Sequence, residues 1–311
     1  MLMQILSGIW PIALALVIGL ISATYLPKAL KHWLITCIGR FISLLLVAIG
    51  YNFAANLERL GSVTKLIGQA LLYAGVINLF IVIAITLMFG VTHAQALVRH
   101  GHHWRQVIWD CAHAFLCLAL GMGLQFMVQS LGGLAVHRLN IDYFLYVLLF
   151  LIGIDIRCTQ FSVQRLSLRV FVLPLIIIVV SLAASALLAH LLGMNRQLGL
   201  LVGSGFGWFS LSGAFVTAQL GEYYGALCML TDLFREIMSI FILFALGRHF
   251  PYAGIATTAA TGMDTTLPIV RKACGENYTA VALYVGFVCS VAAPFLIGIF
   301  VSLAKSVLPM A

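Results

Sequence analysis

Polar positions are sparse in this chain, and the apolar stretches between them are long and continuous. None alternates with the two-residue period of a strand, so the backbone is expected to satisfy its own polar groups in helices. Runs at 5–26, about 34–55, 66–89, onward from about 107, 143–156, 170–192 and 281–303 predict spans. About 20 residues suffice to cross the hydrocarbon core. Beyond Gln197 the pattern changes. The stretch 198–220 is apolar, but its centre is rich in Gly and Ser. The stretch 227–246 carries Asp232, Arg235 and Glu236 inside an apolar run. The stretch 253–270 is short, rich in Thr, and has Pro268 near its end. Discontinuous helices of this kind form the binding sites of many transporters. The expected fold is therefore all-α and polytopic. It has about eight transmembrane helices plus two interrupted or re-entrant segments, 198–220 and 253–270, giving eight to ten spans. Residues 1–311 read as one transport domain. Its N-terminal helices are 1–133, and its C-terminal helices, 141–311, carry the site.

Composition supports a membrane class. The 311 residues are 63% hydrophobic and 8% charged, against about 25% charged in a soluble domain. The net charge of +8 does not point to nucleic acid, because the basic residues are scattered through short loops. Through the loop after the sixth run, the loops assigned inside hold seven Lys or Arg and the outer ones four. That bias places both termini outside. No Lys or Arg precedes the first run, which is too long for the core of a cleavable signal, so it is expected to stay as a span. The seven cysteines form no CxxC pair and read as small buried apolar residues. The histidines at 93, 100, 102 and 103 read as a solvated loop rather than a metal site. No cofactor or metal is expected; membrane lipid surrounds the bundle, and the oligomeric state is not legible.

The candidate chemistry sits in three pieces. Asp232 is the strongest, because a carboxylate at the centre of a membrane helix costs about 2.5–3.5 kcal/mol on insertion scales. Arg235 and Glu236 follow at three and four positions, so all three share a helix face. One acid can neutralise the arginine, which leaves one carboxylate over; a purely structural ion pair is the alternative. The second acid, Asp264, lies in Thr261-Gly-Met-Asp-Thr-Thr266, where Thr265 offers a hydroxyl. The alternative for Asp264 is a helix cap ahead of Pro268. The third piece is Gly203-Ser-Gly-Phe-Gly-Trp-Phe-Ser-Leu-Ser-Gly213. Unwound, it presents Ser204, Ser210, Ser212 and backbone groups to an amino acid, with Trp208 available to a cation. The alternative is a small-residue packing surface. Two acids near each other can hold an ammonium group and also exchange protons, since poor hydration raises a carboxyl pKa and a bound cation lowers it.

On these pieces the chain resembles the LysO family of bacterial lysine exporters. The residues carrying the resemblance are Ser204-Gly-Phe-Gly-Trp-Phe-Ser-Leu-Ser-Gly213, Asp232 with Arg235-Glu236, and Gly262-Met-Asp-Thr-Thr-Leu-Pro268, continuing through Gly286-Phe287. It is close over roughly 200–290 and mainly hydropathic over 1–195. Phe209 departs from it, standing where a better-known member has tyrosine. The resemblance implies an inner-membrane carrier that exports L-lysine and its analogue thialysine, coupled to returning protons. It also implies two essential intramembrane acids, which fall on Asp232 and Asp264. A carrier for another cationic amino acid or cation is the nearer alternative. An intramembrane aspartyl protease also pairs two aspartates, but Thr261-Gly-Met-Asp264 lacks that class's glycine directly before the acid.

Overall fold

Helices apolar on every side are stable only where lipid or protein covers them, and the helix Val63–Phe89 shows how the two surfaces divide. Its buried residues are Leu66, Ala70, Tyr73, Ala74, Ile77, Asn78, Ile81 and Ile85, one stripe at three- and four-residue spacing. Ile67, Leu71, Leu72, Leu79, Phe80, Ile83 and Leu87 are large, apolar and exposed. This is a lipid-facing surface, and the chain is an all-α polytopic membrane protein. Among the described residues, four helices are long and apolar enough to cross a membrane: Ala29–Asn52, Val63–Phe89, Val170–Leu191 and Glu276–Lys305.

The computed structural model describes residues 14–15, 17–55, 63–90, 104–130, 141–158, 168–263 and 265–307. Among them there is no strand. The histidines 93, 100, 102 and 103 and the second candidate acid, Asp264, lie outside the described residues. The helices are α1 (Lys28–Ala55), α2 (Val63–Phe89), α3 (Trp104–Ser130), α4 (Ile141–Cys158), α5 (Leu168–Leu191), α6 (Arg196–Gly203), α7 (Phe209–Leu220), α8 (Glu222–Leu246), α9 (Pro251–Thr258), α10 (Leu267–Cys274) and α11 (Thr279–Lys305). A 3₁₀ helix, Ala259–Met263, follows α9, and another, Glu276–Tyr278, precedes α11.

The chain forms two interleaved units. The first comprises Met1–Lys65, Gly101–Gln160 and Gly213–Ala226. In it α1 packs on α3 and α4. The close approach rests on glycine: a Cβ on Gly121 of α3 would run into the Val47 carbonyl of α1. Gly19 likewise lies against the backbone of Phe150. Small residues that let backbones meet are how membrane helices associate without a hydrophobic drive between them.

The second unit comprises Leu66–His100, Phe161–Ser212 and Leu227–Ala311. Here α5 packs on α6, and α11 packs on α6, on α9 and on the 3₁₀ turn Ala259–Met263. Gly199 and Gly203 of α6 sit one turn apart and face Ser181, Ser185 and Ala189 of α5. The small-residue packing surface is therefore real at this end of the motif, and it ends where α6 ends.

Both segments expected to be interrupted are interrupted. Residues 204–208 break α6 from α7, and the 3₁₀ turn Ala259–Met263 follows the end of α9 before α10 begins at Leu267. The glycines in α3 yield a direct test of the packing. Replacing Gly121 by alanine should cost about 1–3 kcal/mol through overpacking. Gly123, whose Cβ would meet nothing within 4 Å, should accept alanine and gain up to about 1 kcal/mol of helix propensity. Thermal unfolding of the two detergent-solubilised variants separates these outcomes.

Candidate functional site

A helix that stops inside a membrane protein leaves carbonyls and N–H groups that need partners. One of these partners is shared between the two breaks. Phe206 and Ala259 are the non-glycine residues with positive φ among the described residues, at 53° and 44°. The N–H of Ala260 donates to the carbonyl of Phe206 at 3.1 Å. The two discontinuities thus meet backbone to backbone, and all of this lies within the second unit.

Several Ser and Thr residues in and around these pieces serve the broken ends. Ser181 of α5 donates to the Gly203 carbonyl at 2.8 Å. Ser204, fully buried, donates to Leu201 at 2.7 Å. Thr261 donates to the Thr258 carbonyl at 2.9 Å, and Thr266 to the Thr261 carbonyl at 2.9 Å. Ser290 of α11 reaches the Ala260 carbonyl at 3.5 Å. Short polar side chains that bond nearby backbone are suited to this task.

One N–H at the break goes to the buried acid. Gly207, at φ 85°, donates to Oδ1 of Asp232 at 2.8 Å. Asp232 is fully buried, near the middle of α8. Gly205 makes room for it: a Cβ there would collide with Oδ2 of Asp232. Arg235, one turn on and 1% exposed, brings Nη1 to 3.6 Å from Oδ1 of the same carboxylate. Glu236 accepts a hydrogen bond from Thr265 at 2.6 Å. The charged face of α8 is therefore divided. Asp232 turns to the first break with Arg235 beside it, and Glu236 is tied to the residue that follows Asp264 in sequence.

The remaining expected residues lie around the first break. Ser210 and Ser212 are buried, and Ser212 donates back to the Phe209 carbonyl at 3.4 Å. Trp208 is half-buried, and its backbone N–H closes the turn on the Gly205 carbonyl at 2.9 Å. Phe206 is fully buried. Sequence reasoning missed Asn78 of α2, which donates to the Arg235 carbonyl at 3.2 Å. An asparagine in the middle of the apolar run of 66–89 was the available signal. Ser181 was missed for the same reason. Among the described residues there is no group of His, Cys, Asp and Glu suited to a metal ion.

The family model for the lysine exporter LysO matches residues 114–301, more than half of the chain and all of the described site except Asn78. The chain belongs to this family. Two relatives fit the same assignment. The protein named "Lysine exporter LysO" of Escherichia coli is 25% identical over 307 residues, covering 94% of this chain and 99% of the relative. A "Putative lysine exporter" of Haemophilus influenzae is 34% identical over 162 residues, covering 51% of this chain and 83% of the relative. No solved structure matches the chain.

Two substitutions test the geometry of the breaks. Gly205→Ala should displace the Asp232 carboxylate and cost about 1–3 kcal/mol of stability. Ala259→Gly should do the opposite: a residue held at positive φ stores about 1–3 kcal/mol. Glycine returns about 0.4–1 kcal/mol of that as unfolded-state entropy. Thermal unfolding in detergent should therefore show a lower midpoint for the first variant and a higher one for the second.

Proposed function

We propose that this chain is a secondary active transporter that exports L-lysine, and its analogue thialysine, from the cytoplasm in exchange for protons. It acts as a carrier and not as an enzyme. The observation that carries the reading is the buried Asp232 carboxylate held on the N–H of a helix break where two discontinuous segments cross. Family membership and the names of the relatives support lysine as the substrate.

In this reading Asp232 and Asp264 alternately hold the cation and protons. Glu236 and Arg235 tune the pair, with Thr265 fixing Glu236. Ser204, Ser210, Ser212 and Trp208 line the break on which the amino acid rests. The driving force follows from charge. Moving one positive charge outward against an inside-negative potential costs about 2.3 kcal/mol per 100 mV, and protons returning inward offset that cost. In this reading the protein lies in the bacterial inner membrane with both termini outside. It is a single transport domain whose helices within 141–311 carry the site.

Uptake of labelled lysine into inside-out vesicles with an imposed pH gradient tests this. Gradient-driven uptake is expected in the wild type, with a loss of at least about 100-fold, roughly 2.7 kcal/mol, in Asp232→Asn and in Asp264→Asn. Uptake unchanged by either substitution would remove that acid from the mechanism. Uptake of ornithine or arginine in place of lysine would shift the substrate and keep the exchange.

A further inference from the structure

Arg235 is the bulkiest fully buried side chain among the described residues. Its Nε, Nη1 and Nη2 are all buried without a hydrogen-bond partner. Asp232 stands 3.6 Å away, beyond the roughly 2.7–2.9 Å of a charge-assisted hydrogen bond. Asp232 spends Oδ1 on Gly207 and has Oδ2 unpartnered. Asn78 gives its amide N–H to the Arg235 carbonyl and has its own Oδ1 unpartnered. Two unmet polar groups thus share one turn of α8, a cationic fork and a carboxylate oxygen, and a third, the Asn78 amide oxygen, belongs to the α2 side chain that bonds the backbone of that turn.

A structural ion pair has no reason to look like this. Burying each charge costs several kcal/mol, which is recovered only when geometry is good and the remaining donors are bonded. An arginine does not escape by losing its proton. Its planar fork matches a carboxylate, which accepts two parallel N–H bonds. The head group of an α-amino acid carries a carboxylate and an ammonium group on the same carbon. Arg235 and Asp232, one turn apart, present the complementary charges.

We infer that Arg235 receives the α-carboxylate of the transported amino acid while Oδ2 of Asp232 takes its α-ammonium group. The site then selects α-amino acids over amines that lack a carboxylate. This rests on the export reading and assigns, within it, the residues that meet the substrate's head group. An amine of the same length leaves the buried donors of Arg235 unmatched, and a site built to bond a group rejects ligands that lack it.

The test is competition against labelled L-lysine in the full-length protein reconstituted in vesicles. The competitors are unlabelled L-lysine, L-lysinamide and 1,5-diaminopentane, which retain the ammonium groups but differ at the carboxylate. In the wild type, L-lysine should compete about 10- to 100-fold better than either analogue, the range for hydrogen bonds to a charged group. In Arg235→Gln, lysine should weaken by a similar factor while the diamine does not, so the preference collapses. Arg235→Lys should restore part of it. Equal competition by all three in the wild type would overturn the inference and leave the export reading intact. An equal loss for every ligand in Arg235→Gln would overturn it in favour of a structural role. Absence of lysine uptake in folded wild-type protein would overturn the export reading and this inference with it. The wild-type comparison stands even if the variants fail to fold.

Discussion

The hydrogen bond from the Gly207 N–H to Asp232 is the contact on which the second unit depends. A helix broken inside a membrane protein must find partners for its free N–H and C=O groups, because lipid offers none. Here one orphan N–H finds a carboxylate. The carbonyl of the preceding residue, Phe206, finds the N–H of Ala260. Each break is thereby stabilised by the other, and Asp232 is fixed where they cross. Most Ser and Thr side chains around the breaks are occupied in closing backbone bonds. The polar richness of these pieces is first a solution to backbone satisfaction. The chemistry is concentrated in the few groups that remain.

Those groups lie on one helix. α8 places Asp232, Arg235 and Glu236 within about one turn, yet their surroundings differ. Asp232 and Arg235 are sealed, and several of their polar atoms are unmatched. Glu236 is bonded to Thr265. Such an arrangement is costly in a resting protein and is most readily understood where another charged species completes it. Strain at Phe206 and Ala259 belongs to the same picture. Backbone held in sparsely populated regions persists when the surrounding packing over-determines it. Here that packing is the glycine seam of α5 against α6 and the contact of α11 with the 3₁₀ turn.

Much of this was legible in the sequence. Continuous apolar runs with few charges leave a chain no stable place but a helical bundle in lipid. A Gly/Ser string and a Thr-rich segment ending near a proline mark helices that do not run through. Asp232 stands out because an acid in such a run is too expensive to be incidental. Helical spacing alone puts Arg235 and Glu236 on its face.

What the sequence did not determine was which group meets which. Spacing along α8 gave both acids an equal claim on Arg235; the fold brings Asp232 to it and turns Glu236 to Thr265. Asn78 and Ser181 looked like ordinary polar residues in apolar spans, and only their neighbours across the unit show that one holds the Arg235 carbonyl and the other the end of α6. The crossing of Phe206 with Ala260 joins residues 54 positions apart by one backbone bond. The physical reason is common to all three. Hydrophobicity and period are properties of a segment and can be read along it. The partner of a buried polar group is a property of the packed unit, fixed only when distant segments come within hydrogen-bonding distance.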